Sequence, residues 1–275
     1  MFNKQILLDK SNTYLMFFWI FVFSCFLGTL LETVFHLIAY KEFQNRAGLI
    51  YGPFNPVYGF GALIMTFFLR KIQHRSIFLI FVCSTFIGLS FEYICSLFQE
   101  IVLNSLSWSY SDTYFSIHGR TNVIFGFFWG ILGCIWIKIL YPFFYHQLGK
   151  IHNPLFKILS FFFALFMIFN MAISFLAVFR QSKRIQNIPA KTPLDFYLDL
   201  HYPDARLAKT YPEMIFLEEE EYYIRGAKIF NNFAGKRIFF IVSKVFSSET
   251  SKIAKKSFFI SSKQLARFKK TPHSK

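Results

Sequence analysis

Five long apolar stretches most constrain what this chain can fold into. They are residues 13–40, 47–69, 77–103, 123–145 and 155–179. A helix needs ~20 predominantly apolar residues to cross the hydrocarbon core of a bilayer. Because lipid offers backbone groups no hydrogen-bond partners, spanning segments are helices or closed barrels. We therefore predict an all-α, multi-pass protein of the cell membrane, a bundle of about five transmembrane helices in contact with the lipid bilayer.

The second stretch is interrupted by turn-forming residues. Residues 45–62 read NRAGLIYGPFNPVYGFGA, with two prolines and four glycines. Residues 57–69 alone are too short to span. Irregular backbone is tolerated at membrane depth only where protein or a water-filled cavity surrounds it. We therefore expect a re-entrant or kinked helix entered through this Gly/Pro-broken segment. Either a backbone-lined binding site or a tight turn with close helix packing would explain the glycines.

Ionisable side chains inside the apolar stretches are the main candidates for a functional site. Glu32 and His36 lie one helical turn apart, and Glu92 and Glu100 share a face of the third helix with Ser96 and Gln99. A central charge costs ~2.5–3.5 kcal/mol to insert, so such groups are usually paired and face the bundle interior. Their partners are expected to be arginines at the ends of the spans, Arg46 and Arg120.

Three interpretations of these charges stay open. The first is an ion-pair network that fixes helix packing. The second is a pathway for an ion, a proton or a polar substrate, and the third is a catalytic acid–base pair. Trp108 and Tyr110, in the loop after the third helix, are expected at the membrane–water interface.

The predicted polar core or binding set contains side chains from both the broken segment and the spans. Its members are Glu32, His36, Asn45, Arg46, Gly52, Pro53, Pro56, Tyr58, Gly59, Glu92, Glu100, Trp108, Tyr110 and Arg120. No residue is assigned a catalytic role. Neither a metal site nor a cofactor is predicted, because the four cysteines lie in apolar stretches without CxxC or Cys/His spacing.

Positive charge is concentrated after the last apolar stretch. Residues 1–179 hold 11 Lys+Arg and 6 Asp+Glu, whereas residues 180–275 hold 19 and 9. We therefore predict a transmembrane domain over residues 1–180 and a basic, water-facing C-terminal tail over residues 181–275. The end of the tail combines basic and apolar residues, a composition suited to contact with anionic lipid. Nucleic acid is not expected as a partner beside five spans.

Basic residues near the ends of the spans favour a cytoplasmic N-terminus, because cytoplasmic loops carry an excess of Lys and Arg. The expected inner segments contain Lys4, Lys10, Arg70, Lys71, Arg75, Lys138, Lys150 and Lys157. The outer loops then hold Lys41, Arg46 and Arg120. A cluster directly after the fifth stretch, Arg180, Lys183 and Arg184, points the other way.

At these motifs the chain resembles the putative ABC-transporter type IV family of CmpB-like bacterial membrane proteins, over about residues 14–180. The shared pattern has a Glu in the first span, NRG-x-L-x-GP-x-CPIYGFGA, a Glu-Tyr pair with a second Glu eight residues on, a W-D-Y-S motif, F-N-x-x-G-R/Y and a Trp-Gly pair. Matching residues are Gly28, Glu32, Asn45, Arg46, Gly52, Pro53, Phe54, Pro56, Tyr58, Gly59, Phe60, Gly61, Glu92, Tyr93, Glu100, Trp108, Tyr110, Ser111, Phe115, Gly119, Arg120, Trp129 and Gly130.

Four positions depart from the family pattern. Ala47 replaces a Gly, Asn55 a Cys, Ser109 an Asp and Ser116 an Asn. A thiol or thiolate–metal role at position 55 is therefore not expected in this chain. Because Ser109 stands where the family has an Asp, one acidic candidate for the polar core is missing.

The resemblance implies a permease-like transport component of the bacterial cytoplasmic membrane. The sequence contains no Walker A motif, and Gly59-Phe60-Gly61 lacks GxGxxG spacing, so a separate ATPase subunit is the expected partner. Two alternatives stay open. One is an intramembrane enzyme acting on a lipid or anionic substrate, with Glu32/His36 or Glu92 as general base. The other is a non-transporting membrane scaffold or sensor.

Overall fold

The computed structural model describes residues 10–111, 113–148 and 153–217, with side chains from Thr13 onward. All described contacts below lie within the compact unit Met1–Phe216. The predicted contact of the C-terminal end with anionic lipid falls on residues 218–275, outside the described part. The boundary at residue 180 stays a prediction.

Four helices in the described part are long and apolar enough to cross a membrane. They are α1 (Lys10–Tyr40), α3 (Ile77–Leu103), α4 (Val123–Ile135) with its continuation, and α6 (Pro154–Ile185). A π-helical turn, Trp136–Leu140, joins α4 to α5 (Tyr141–Leu148), so that the third span runs from Val123 to Leu148. The structure confirms a helical membrane protein.

The predicted count of five spans is not confirmed, because the second apolar helix is short. Helix α2 (Pro56–Leu69) has 14 residues, about 21 Å of helix against a hydrocarbon core of about 30 Å. Its N-terminus is well defined: Pro56 occupies the first turn, and Asn55 Oδ1 accepts a hydrogen bond from the backbone N–H of Val57 at 3.1 Å. The residue that replaces the family's cysteine is thus the N-cap of α2.

Helix α2 runs antiparallel along the first half of α1. Gly28 faces the ring of Tyr58 near the start of α2, and Met16 and Leu69 share a cluster of buried residues at its other end. We call the end of the bundle that holds Leu69 and the turn Arg70–Arg75 the basic end. The opposite end, with the C-termini of α1, α3 and α6, is called the polar end.

Helices α3 and α4 pack through small residues. A Cβ added at Gly88 would lie 2.3 Å from the Trp129 ring, and one at Gly133 would lie 2.1 Å from Ser84 Oγ. Without a hydrophobic driving force between helices in lipid, close approach through small residues is a main source of packing energy.

The backbone of the segment between α1 and α2 is held by two spanning helices. Asn55 N–H donates to the carbonyl of Cys25 in α1 at 3.1 Å. In α6, Asn170 accepts from the N–H of Tyr51 at 3.2 Å and donates to its carbonyl at 2.6 Å. Ser174 Oγ accepts from the N–H of Ile50 at 2.9 Å. These side chains supply hydrogen bonds that lipid cannot offer.

The residues after α6 fold back onto the polar end. Helices α7 (Pro193–His201) and α8 (Asp204–Thr210) follow, and the two-residue strand β4 (Ile215–Phe216) pairs antiparallel with β1 (Ser105–Leu106) after α3. A second pair, β2 (Ser116–Ile117) and β3 (Thr121–Asn122), forms a hairpin before α4.

An ion-pair cluster fastens α7 to the end of α6. Arg180 donates to both Asp199 carboxylate oxygens at 2.8 Å, and Arg184 contacts Asp199 and Asp204, each at 2.6 Å. The hydrogen bonds from Arg180 and Arg184 hold the pKa of Asp199 below its usual range. Tyr202 then reaches Tyr51, with 2.9 Å between the hydroxyl oxygens.

Replacing Gly59 by alanine is expected to destabilise the fold more than replacing Gly61. A Cβ at Gly59 would lie 2.5 Å from both Cys25 Sγ and the Phe21 ring, whereas one at Gly61 meets its nearest neighbour, Phe91, at 3.3 Å. Both substitutions gain the same helix propensity. The difference between their free energies of unfolding, expected to be about 1–3 kcal/mol, therefore reports the α1–α2 contact. Thermal unfolding of the detergent-solubilised variants measures it, and equal melting temperatures would contradict this packing.

Replacing Asn170 by leucine is expected to lower the free energy of unfolding by about 1–3 kcal/mol, because the buried N–H and carbonyl of Tyr51 lose their partner. Phe169→Leu on the same helix is the control, since Phe169 is exposed. Faster proteolysis within residues 41–55 of the Asn170 variant, but not of the control, would locate the defect. Equal stability of the two variants would show that the segment does not depend on α6.

Candidate functional site

The first part of the candidate site lies where α2 begins. Tyr58 donates a hydrogen bond to Glu32 Oε2 at 2.8 Å. Arg46 Nε lies 3.5 Å from Glu32 Oε1, and Arg46 Nη1 lies 2.8 Å from Glu213 Oε1. Arg46 thus joins a carboxylate in a span to one after α8. The side chain of Glu32 keeps 30% of its surface exposed.

The second part is built around Glu92 in α3. Tyr110 donates to Glu92 Oε1 at 2.7 Å, and Thr121 Oγ1 donates to Oε2 at 2.6 Å. Burial raises the pKa of the Tyr110 hydroxyl, and the carboxylates of Glu92 and Glu32 raise it further. The charges of both carboxylates therefore act on Tyr110, and we group Glu32, Tyr58, Tyr110 and Glu92 together. We call these four residues the carboxylate pair site.

A buried ion pair lies next to it. Arg120 Nη2 donates to Glu100 Oε2 at 2.5 Å, and both side chains are almost completely buried. Arg120 Nη1 donates to the carbonyl of His118 at 3.2 Å, and the guanidinium lies 5.5 Å from the centre of the Tyr93 ring. The pair links α3 to the hairpin that leads into α4.

Two further polar groups complete this junction. Trp108 Nε1 donates to the carbonyl of Arg120 at 3.1 Å. Gln99 Nε2 donates to Ser107 Oγ at 2.7 Å. Ser96, Gln99 and Glu100 are all buried. The side of α3 that the sequence marks as polar therefore faces the protein, not the lipid.

Other residues of the predicted set have local structural roles. His36 Nδ1 lies 3.0 Å from the carbonyl oxygen of Glu42, which can only accept, so this nitrogen donates. Asn45 Oδ1 accepts from the N–H of Ala47 at 3.1 Å. Gly52 adopts a positive φ of 79°, a conformation that favours glycine. Pro53 is exposed, and Gly59 packs against α1.

Several residues at the polar end are missed by reasoning from the sequence. Thr121 and Glu213 contact Glu92 and Arg46, and Asn170 and Ser174 hold the broken segment. One signal was available for the last two, since they stand four residues apart in an otherwise apolar helix. Glu213 carries no comparable signal, because an acidic residue in a polar segment is ordinarily solvated.

Charge at the polar end is unevenly compensated. Within the described residues, Glu32 and Glu213 share Arg46, and Glu100 has Arg120 to itself. Glu92 accepts hydrogen bonds from neutral hydroxyl groups and forms no ion pair with any described residue. No group of three His, Cys, Asp or Glu residues is placed to hold a metal ion in the described part of the chain. The arrangement can bind a positively charged or hydrogen-bonding group, or exchange a proton.

A family model described as putative ABC-transporter type IV matches residues 19–175, more than half of the 275 residues. This range includes every residue of the carboxylate pair site as well as Arg46, Glu100 and Arg120. No curated protein matches the chain, and neither does any solved structure.

The two carboxylates of α3 are expected to respond differently to substitution by glutamine. Glu100→Gln leaves the buried guanidinium of Arg120 uncompensated, a defect that costs about 3–5 kcal/mol. Glu92→Gln keeps an oxygen acceptor for a hydroxyl donor and is expected to cost about 1 kcal/mol. The melting temperatures of the purified proteins compare the two.

A double variant serves as the control for this comparison. Glu100→Leu combined with Arg120→Met removes both charges and is expected to recover part of the stability lost in Glu100→Gln. If Glu92→Gln proved as destabilising as Glu100→Gln, the difference in charge compensation inferred for the two carboxylates would be wrong.

Proposed function

The chain belongs to the putative ABC-transporter type IV family, and we propose that it is a permease-like transport component of the bacterial cytoplasmic membrane that works with an ATPase on a separate chain. The family description and four helices able to span a membrane support this proposal. The sequence itself carries no Walker A motif, so the proposal assigns ATP hydrolysis to another subunit.

The observation that carries the proposal is the half-length helix α2 and the way the chain enters it. The segment before α2 returns from the end of α1 to Cys25, near the middle of that helix, where Asn55 N–H is bound. Glu32 and Tyr58 lie beside this return point. Interrupted helices with polar groups at membrane depth are the usual construction of substrate and ion sites in transporters.

We propose that the transported species contacts the carboxylate pair site as it crosses the membrane. Its two tyrosine hydroxyls each donate to a carboxylate, and Glu92 lacks a cationic partner among the described residues. A carboxylate inside a span that has no charged partner is a candidate contact for a cationic or hydrogen-bonding group. We infer that the transported species is an ion, a proton or a polar substrate whose positive or hydrogen-bonding group contacts Glu92.

The distribution of basic residues supports a cytoplasmic basic end. Arg70, Lys71, Arg75 and Lys138 lie there, and none of them forms an ion pair within the described residues. At the polar end, by contrast, the arginines of α6 and of the loops are paired with carboxylates. Cytoplasmic loops carry an excess of Lys and Arg near the span ends, so the proposal has the ATPase approach the basic end.

Two measurements on the full chain test the proposal. An affinity-tagged copy in its native membrane is expected to co-purify a P-loop ATPase, and a deletion strain is expected to lose uptake of at least one solute from a panel of cations and polar metabolites. Recovery of no ATPase, together with unchanged uptake of every solute, would overturn it.

Substitution of Glu92 by glutamine is expected to abolish the uptake found in this way while the protein still accumulates in the membrane. Glu42→Gln is the matched control, because Glu42 is exposed after α1 at the same end and is expected to leave uptake unchanged. Full uptake by the Glu92 variant would remove this carboxylate from the pathway.

A further inference from the structure

An apolar groove lies on the bundle surface between α1 and α2, near the basic end. Its lining consists of Phe17, Leu63, Ile64, Phe67 and Phe68. Phe67 and Phe68 each expose about half of their surface there. Because the groove lies between two apolar helices of a membrane protein, its natural neighbour is a lipid acyl chain.

Two cationic side chains stand directly at this groove. The guanidinium of Arg70 lies 5.9 Å from the centre of the Phe17 ring and 5.7 Å from that of Phe67. The ammonium of Lys71 lies 5.4 Å from the Phe67 ring. Cation–π contacts of this length fix the position of a charge without neutralising it. Both side chains are therefore held at the mouth of the groove while their N–H donors stay available.

Among the described residues, the chain supplies no anion to this end of the bundle. The sequence contains no Asp or Glu in residues 10–31, 43–91 or 113–194. These ranges include all the described helical segments that meet at the basic end. Every ion pair found among the described residues lies at the polar end. The counter-charge for Arg70 and Lys71 must therefore come from outside the described structure.

We propose that the groove and these two cations form a binding site for an anionic phospholipid. The phosphate group accepts hydrogen bonds from Arg70 and Lys71, and one acyl chain lies along Leu63, Ile64 and Phe68. A basic cluster above an apolar groove between helices matches the two halves of such a lipid. An acidic protein segment would satisfy the charges but would leave the groove below them unfilled.

A second groove provides an internal comparison. It lies between α3 and α4 and is lined by Ile77, Phe78, Phe81, Ile131, Cys134 and Ile135. In the described structure no cation stands over its aromatic rings. Lys138 acts electrostatically on Cys134 in its lining, but no cation is held against its rings in the way that Phe17 and Phe67 hold Arg70 and Lys71.

Native mass spectrometry of the full chain tests the proposal. The protein is exchanged into phosphatidylcholine and titrated with phosphatidylglycerol. One phosphatidylglycerol molecule is expected to be retained saturably, and Arg70→Gln with Lys71→Gln is expected to weaken its retention on the order of tenfold. The control is Lys191→Gln with Lys209→Gln, which removes the same charge from exposed positions at the polar end and is expected to have no effect.

Two substitutions that enlarge a side chain distinguish lipid binding in the groove from attraction of the lipid to general surface charge. Ile64→Trp fills the proposed site and is expected to reduce retention, whereas Ile131→Trp fills the second groove and is expected to leave it unchanged. Ile64→Phe replaces the tryptophan variant if that one does not accumulate. An excess of glycerol phosphate, which has the headgroup chemistry without acyl chains, is expected not to displace the lipid.

Each opposite result would overturn the proposal. Equal retention of phosphatidylcholine would show that the charge is irrelevant. Unchanged retention in the Arg70/Lys71 variant, or an equal loss in the Lys191/Lys209 control, would remove the cations from the site. Displacement by glycerol phosphate, or no difference between the Ile64 and Ile131 variants, would show that the groove takes no part.

Discussion

The structure depends on the requirement that backbone polar groups away from water find partners inside the protein. The segment before α2 cannot bond to itself as a helix does. Cys25 in α1 and Asn170 and Ser174 in α6 bind four of its backbone N–H and carbonyl groups. This arrangement allows α2 to begin near the middle of α1, which brings Tyr58 to Glu32. The carboxylate pair site is thus a consequence of how the broken segment is held.

Charge separates the two ends of the bundle. At the polar end, carboxylates and arginines from distant parts of the chain neutralise one another, and the buried pair Glu100–Arg120 ties α3 to the hairpin before α4. At the basic end, the described residues include cations but no carboxylates. The polar end is therefore stabilised by contacts within the protein, whereas the basic end relies on its surroundings. This asymmetry is the physical basis of both the proposed orientation and the proposed lipid site.

Local features of the sequence predicted much of this architecture. Residues 77–103 form one helix with the bounds expected from their apolar run, and the prolines of residues 45–62 mark where the helix is interrupted. The sequence predicts Arg46 and Arg120 as partners for carboxylates inside the spans, and they lie against Glu32 and Glu100. These features can be predicted from the sequence because helix length, helix breakers and the cost of buried charge depend on short segments.

The sequence by itself therefore determined that this chain is a helical membrane protein, where its four long apolar helices lie and which charges need partners. Only the tertiary structure decided which residues meet. Asn170 binds the backbone of Tyr51 from 119 residues away, Glu213 reaches Arg46 from beyond the last spanning helix, and Glu92 receives hydroxyl donors instead of an arginine. These pairings depend on how helices are placed against one another, and no local pattern encodes that placement.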